Sequence, residues 1–215
     1  MDTSNPSDPH APRFDWRARY EEDVTPWDLG GAHPGLVTWL AGPGADLARE
    51  RVIVPGSGKG HDPVYFAEAG SAVDAVDIVD LCAAHCAERL AAHGGSFHVA
   101  NFLGFDAARV AALGGPWDLL YEHTIFCAID PEQRVAFGAA AAACVRPGGH
   151  LLSFLFPGDK PLEEGGPPFR ATPADLAAAL GAAFELVDDA EVLEIPAGRR
   201  WLERRLLFRR LESQR

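Results

Sequence analysis

No apolar run in this 215-residue chain approaches the roughly 20 residues that a membrane-spanning helix needs. No basic segment followed by an apolar stretch stands at its start either. The opening "MDTSNPSDPHAPR" is polar and proline-rich, so we expect no signal peptide, a disordered tail over residues 1–13, and a cytoplasmic protein with no membrane partner. Positive charge is scarce: 19 Lys+Arg face 31 Asp+Glu, a formal net charge of −12 that repels a phosphate backbone and argues against nucleic acid as a partner. The one basic run, "RRWLERRLLFRR", alternates Arg with Leu and Phe and reads as a strand with one buried face. Metal-ligand spacing is missing too. Cys82 and Cys86 stand one helical turn apart around His85, which is not C-x2-C, and no second ligand pair follows. They read as small buried thiols, and no metal is expected.

A 47% hydrophobic content at this length suits a single globular domain, placed at residues 14–215. In "FDWRARYEE", Trp16 and Tyr20 lie one turn apart and predict a short amphipathic helix. "TPWDLGGAHPG" is rich in breakers, and Pro34 suits the first turn of a helix through "GLVTWLA". From "RVIVP" onward, strands and helices alternate as far as "HLLSFLF". Asp62 is expected to cap the first of these helices, with Pro63 at its first position. A turn at "RPGG" is expected to precede "HLLSFLF", and the strands "AFELVDDAEV" and "RRWLERRLLFRR" close the chain with no helix between them. This order predicts an α/β fold: a mostly parallel sheet with helices on both faces and an antiparallel C-terminal edge pair. Ligands of such sheets bind beyond the carboxyl ends of the strands.

At that edge stands "VIVPGSGKGHDPVYFAEAGSAVDAVDI", where Gly56, Gly58 and Gly60 follow the first strand. Glycine lets the chain turn sharply and a ligand approach the backbone. Asp77 ends the second strand roughly 20 residues on, where a carboxylate can take both hydroxyls of a ribose. A dinucleotide fingerprint would need glycine at 61, where His61 stands. A phosphate-binding loop would need Ser or Thr after Lys59, and Gly60 is there. A hydrolase elbow around Ser57 would need glycines in place of Pro55 and Lys59. The remaining common ligand is S-adenosylmethionine.

"RYEEDVTPWDLGGAHPGL", the glycine-loop stretch, "VDAVDI", "WDLLYEHTIFCAIDPEQR", "RPGGHLLSFLF" and "GGPPF" together resemble, in order, the thiopurine S-methyltransferase family, which includes thiol and halide methyltransferases. The match runs from Phe14 to about Arg210, and "TPWD" with "GGPPF" is its most specific part. The resemblance implies a Rossmann-like, seven-stranded class I methyltransferase with an N-terminal lid over residues 14–45. It implies S-adenosyl-L-methionine as cofactor and a small-molecule acceptor; we expect a monomer. Trp27 matches the tryptophan that packs on the methionine end of the cofactor. Gly56 and Gly58 match the cofactor loop, and Asp77 with Ile78 the ribose edge. Asn101 and Phe102 stand beside the adenine, where Asp-Phe is usual. Glu122 stands where an aspartate is common after the fourth strand and is a cofactor-binding candidate as well. Arg134 matches an arginine near the acceptor, and Ser57 replaces a usual cysteine.

Methyl transfer from a sulfonium is an in-line displacement, helped by alignment and by a dry pocket when the nucleophile is an anion. Trp27, Trp16, Phe126 and Phe156 are candidates to build that pocket. A thiol must also lose its proton, and Glu122, His123 and Asp15 are the candidate bases. Glu122 beside His123 favours a small thiol or related sulfur or selenium species over a halide. The other readings are a halide acceptor, an oxygen or nitrogen acceptor, and a cofactor-binding module without catalysis.

Overall fold

The computed structural model describes residues 9–194, 196 and 198–212. Seven strands form one sheet: β1 (Arg51–Pro55), β2 (Ala72–Asp77), β3 (Ser96–Val99), β4 (Trp117–His123), β5 (Val145–Leu155), β6 (Phe184–Glu191) and β7 (Arg204–Arg210). Their order is β3-β2-β1-β4-β5-β7-β6. The first five run parallel, while β7 pairs antiparallel with both β5 and β6, as the closing strand pair predicts. The helices are α1 (Trp16–Glu21), α2 (Pro34–Leu40), α3 (His61–Glu68), α4 (Ala83–Ala91), α5 (Ala107–Ala112), α6 (Arg134–Cys144) and α7 (Pro173–Leu180). None is long and apolar enough to cross a membrane among the described residues.

Side-chain alternation along the central strands builds two cores. Val52 and Val54 of β1 face one side with Leu36 and Trp39 of α2, Val64 and Phe66 of α3, and Leu90 of α4. Ile53 faces the other, with Val110 of α5, Phe137 and Ala141 of α6, and Leu176 and Leu180 of α7. Burial of both faces explains the near-continuous apolar run of β1, in which only Arg51 is exposed.

Three local expectations are corrected. Asp62 is not the N-cap of α3. Gly60 takes that place in a left-handed conformation, His61 is the first helical residue, and Pro63 is the third. The Asp62 carboxylate instead accepts from the His33 amide (2.7 Å) and the Tyr121 hydroxyl (3.1 Å). Second, "RPGG" lies within β5: Trp117 and Leu119 pair with Val145 and His150, so residues 146–149 bulge from the ladder. Third, β7 begins only at Arg204, and Leu206 and Phe208 are its buried face, so "RRW" belongs to the loop before the strand.

Helices α6 and α7 cross closely because Gly138 has no side chain. A Cβ there would lie 1.8 Å from the carbonyl oxygen of Ala179. Gly138→Ala is expected to destabilise by about 1–3 kcal/mol, the usual cost of overpacking. Gly104→Ala, where a Cβ meets nothing within 4 Å, is expected to leave stability much closer to the parent. Denaturant midpoints of the two variants check this.

Candidate active site

The strand order reverses between β1 and β4, and the loops that leave these strands open a crevice at the carboxyl edge of the sheet. In the first loop, Gly56, Gly58 and Gly60 have φ of 61°, 53° and 81°. A Cβ at Gly60 would lie 2.2 Å from that of Cys86, and one at Gly56 2.9 Å from that of Ile125. Conformation and space therefore both require glycine. The loop spends its amides internally: Ser57 donates to the Val76 carbonyl (3.1 Å), Gly58 to Oδ2 of Asp77 (2.8 Å), and Gly60 to the Ser57 carbonyl (3.0 Å). With three of its amides spent on its own framework, it offers few N–H groups to a phosphate.

Asp77 is 7% exposed, and its Oδ1 accepts from the Val79 amide (2.9 Å). Burial pushes its carboxyl up, against the pull of the Val79 and Gly58 amides. A carboxylate offers about four acceptor positions, so acceptor capacity remains for a ligand. Asp77 and Ile78 line a cavity of about 510 Å³, with Asn101 and Phe102 beside them. That volume lies in the range of small-molecule sites, roughly 300–1,000 Å³. Phe14, Trp16, Trp27, Phe156 and Trp201 also line it.

The segment before the sheet roofs this cavity. The Trp27 indole N–H donates to the Tyr20 hydroxyl (3.2 Å), and the Trp16 and Trp27 rings meet edge to face at 5.5 Å. The Tyr20 hydroxyl stands 3.1 Å from where a Gly58 Cβ would be, so it rests on the glycine loop. Asp28 fastens the roof. It accepts from the Gly30 amide (2.9 Å), from Lys59 Nζ (2.8 Å) and from the His61 ring (3.0 Å). Burial opposes ionisation of Asp28, but the Lys59 and Gly30 contacts prevail and hold its carboxyl below the ordinary range. A second recess of about 50 Å³ lies between Trp27 and the loop, and the Ser57 hydroxyl that lines it has no hydrogen-bond partner among the described residues.

Residues 1–8 of the expected tail lie outside the described residues. Residues 9–13 strap the cavity rim: Asn101 donates to the His10 carbonyl (2.6 Å), Gln133 to those of Pro9 (3.2 Å) and Ala11 (3.1 Å), and Arg13 pairs with Asp130 (3.1 Å) and Glu132 (2.9 Å).

The candidate cofactor residues Trp27, Gly56, Asp77, Ile78, Asn101 and Phe102 come together around the cavity. Gly58 lines the smaller recess. Of the candidate pocket aromatics, Trp16, Trp27 and Phe156 line the cavity, while Phe126 is buried against Phe137 in the core. The candidate acid–base groups are placed elsewhere. Asp15 is exposed and caps α1, accepting from the Ala18 amide (3.0 Å). Glu122 is 1% exposed; it accepts from the Phe126 amide (3.2 Å) and lies in a very short hydrogen bond with the Ser153 hydroxyl. Burial pushes its pKa up to about 7. Arg134 is buried over the Phe126 ring (4.6 Å) and donates to the Arg170 carbonyl (2.8 Å), which steadies the loop bearing "GGPPF". None of these three groups lines the cavity, and neither does His123.

His123 belongs to a buried cluster. Its Nε2 lies 2.7 Å from an Nη of Arg199, and its Nδ1 lies 3.4 Å from Asp62. Since a guanidinium only donates, Nε2 accepts and the proton sits on Nδ1. Burial, with Arg199 nearby, pushes the His123 pKa down and keeps the ring neutral. His33, His123 and Glu203 bring ligand-type atoms within 4.8 Å of one another. However, the Gly35 amide donates to Nδ1 of His33 (3.1 Å), which leaves the proton on Nε2, facing Glu203 at 3.1 Å. With Arg199 Nη1 2.8 Å from Glu203, the cluster already holds a cation, the guanidinium, where a metal would have to sit.

Sequence reasoning missed Tyr20, Asp28, Arg199, Arg200 and Trp201. The Trp16–Tyr20 spacing was the available signal for the first. Asp28 stood in a breaker-rich loop with no periodicity to mark it, and the three at 199–201 were absorbed into an apparent strand, because alternation alone carries no information about where a strand begins.

The strand order, the crevice at the switch point and the cavity roofed by an N-terminal segment define a class I methyltransferase fold. The chain matches 1,6-didemethyltoxoflavin-N1-methyltransferase from Burkholderia thailandensis with a TM-score of 0.65 at 23% identity, over 94% of this chain and 95% of that one. The thiopurine S-methyltransferase family pattern covers residues 12–201, and the chain belongs to that family. It is 32% identical over 157 residues to thiocyanate methyltransferase 1 of Arabidopsis thaliana, covering 72% of this chain and 66% of the relative, just under two thirds of that protein's own length. It is also 30% identical over 161 residues to probable thiol methyltransferase 2 of Arabidopsis thaliana, covering 73% and 67%.

Two outcomes follow from this geometry. Asp28→Asn is expected to speed amide exchange in residues 20–31 several-fold while β1 keeps its protection, because the roof loses its charge-assisted contacts to Lys59 and His61. Glu122→Gln tests the buried acid. A carboxyl raised from 4.5 to about 7 binds its proton more tightly in the folded state, so its stabilisation is full below 4.5 and is lost as pH rises towards 7. Between those values the parent is expected to lose thermal stability relative to Glu122→Gln, read from melting curves of both across the window.

Proposed function

We propose that the protein transfers a methyl group from S-adenosyl-L-methionine to a small sulfur nucleophile, or a related selenium species, that arrives as an anion. The carrying observation is that one cavity joins a ribose-type acid edge, Asp77 and Ile78, to an aromatic end formed by Phe14, Trp16, Phe156 and Trp201. The names of the relatives, a thiocyanate and a thiol methyltransferase, point the same way.

The donor set fits this cofactor. Asp77 would take the ribose hydroxyls, and Phe102, with Ile78, would flank the adenine near the Asn101 amide. The recess under Trp27 would take the methionine end, where the unpartnered Ser57 hydroxyl finds a use. When bound, the cofactor supplies an electrophilic methyl on a sulfonium. The chain's own residues hold the acceptor in line and keep water out, since an anion and a cation that neutralise each other as they react gain from a dry site.

A free thiol has a pKa near 8.5, so only a few per cent is thiolate at pH 7. Glu122 and His123 stand behind the cavity wall, so we assign them to support rather than to proton removal. The acceptor then carries its own charge on arrival, as thiocyanate does and as a thiol does above its pKa. We further propose that the protein acts as a cytoplasmic monomer on a small molecule, without nucleic acid.

Turnover to S-adenosylhomocysteine with thiocyanate and a panel of thiols tests the reading. Thiol rates are expected to rise with pH along each thiol's own titration, with the same midpoint in Glu122→Gln. No product with any sulfur acceptor would reject it, and iodide as the best substrate would move the acceptor to the halides. Asp77→Ala is expected to weaken S-adenosylhomocysteine binding by about tenfold or more in calorimetry, the loss of a charge-assisted contact of about 1.5–3 kcal/mol.

A further inference from the structure

Five ionisable side chains, His33, Asp62, His123, Arg199 and Glu203, pack behind the aromatic end of the cavity, and only Arg199 reaches its wall. We propose that Arg199 is the residue that selects an anionic acceptor, and that Glu203, with His123, is the positioning pair that fixes where its guanidinium stands. The inference rests on the methyl-transfer reading above and adds to it the group that reads the acceptor's charge.

The guanidinium is held from three sides. Nη1 donates to Glu203 Oε1 at 2.8 Å, Nη2 donates to His123 Nε2 at 2.7 Å, and the plane lies over the Phe156 ring at 4.2 Å. Of its five N–H groups, three have no partner among the described residues. Phe156 lines the same cavity, so a fixed cation borders an apolar wall. Its side chain is 8% exposed, and Glu203 behind it is fully buried. A buried guanidinium with unused donors in a desolvated wall attracts a small anion more strongly than an exposed one does.

The other groups of the cluster explain why it does not swing away. Glu203 also faces His33 Nε2 at 3.1 Å. Burial alone would push the Glu203 carboxyl up, but the contacts with His33, His123 and Arg199 hold it below the ordinary range, so it stays an anion. His123 is in turn oriented by Asp62, which also takes the His33 amide and the Tyr121 hydroxyl. The acids lining the cavity are Asp77, at the glycine loop, and Asp130, which is paired with Arg13. The other cations on the wall are Arg13, Arg19 and Arg200; Arg13 is taken by its acids, and Arg200 pairs outward with Glu164.

The test compares an anionic with an uncharged sulfur acceptor of similar size, thiocyanate and dimethyl sulfide. It also measures thiocyanate binding to the protein saturated with S-adenosylhomocysteine, where no reaction occurs. Arg199→Gln is expected to weaken thiocyanate binding at least tenfold. It should lower kcat/KM for thiocyanate at least tenfold relative to dimethyl sulfide, with S-adenosylhomocysteine affinity unchanged. Glu203→Gln keeps the cation but loosens its hold, so kcat for thiocyanate should fall about tenfold while thiocyanate still binds. Arg199→Lys, which keeps charge without the planar fork, provides a second variant in the event that glutamine does not fold, with an intermediate loss expected.

Equal losses for both acceptors, or unchanged thiocyanate binding in Arg199→Gln and Arg199→Lys, would overturn the assignment. A parent protein that binds thiocyanate through Arg199 yet turns over no sulfur acceptor would overturn the proposed reaction and leave the anion site standing.

Discussion

The hydrogen bond from the Gly58 amide to the Asp77 carboxylate ties the end of β2 to the loop that follows β1. Much of the site depends on it. The bond holds the glycine loop across the sheet edge, and that position demands left-handed backbone at Gly56, Gly58 and Gly60. It also aims the acid along the edge of the cavity, where Ile78 lies beside it. Asp77 thus has a structural duty and still keeps acceptor capacity for a ligand. The roof then rests on the same loop, through Tyr20 over Gly58 and through Asp28 on Lys59 and His61.

Behind the opposite end of the cavity, the fold buries charge that it could have left in water. A cluster of Asp62, Glu203 and Arg199 carries a desolvation cost that ion pairing alone recovers only with good geometry. Here that geometry is supplied by neutral donors: the ε proton of His33, the δ proton of His123 and the Tyr121 hydroxyl. The cluster draws on α2's entry, α3, the end of β4 and the loop before β7. It therefore clamps together four pieces of chain that have no sheet contact with one another in that region.

Much of this was legible in the residues. The parallel strands announced themselves because apolar runs buried on both faces cannot be mistaken for amphipathic ones, and Pro34, Gly60 and the Ala-rich helices punctuated them. The placement of the glycine loop and of Asp77 on one cavity was legible for the same reason: glycines and an acid at fixed offsets from strand ends occupy predictable places once the sheet is known. The surroundings of the candidate acid–base groups were not. Glu122 and His123 are neighbours in β4, but adjacent strand residues point to opposite faces. The sequence brings them together and the pleat separates them, one to Ser153 and the Phe126 amide, the other to Asp62 and Arg199. Asp62 has the composition of a helix cap yet serves a tertiary cluster, a choice made by His33 and Tyr121 from 29 and 59 residues away.

The strap over residues 9–13 is gripped largely through its main chain. Asn101 and Gln133 reach up to the carbonyls of Pro9, His10 and Ala11, atoms that every amino acid possesses. Of these contacts, only the Arg13 pairing with Asp130 and Glu132 reads a side chain. A substitution at Pro9 or Ala11 leaves the gripped carbonyl in place, whereas losing the Asn101 or Gln133 amide removes the grip itself. The part of the strap that reads as a featureless leader is thus anchored by residues 91 to 124 positions further along the chain.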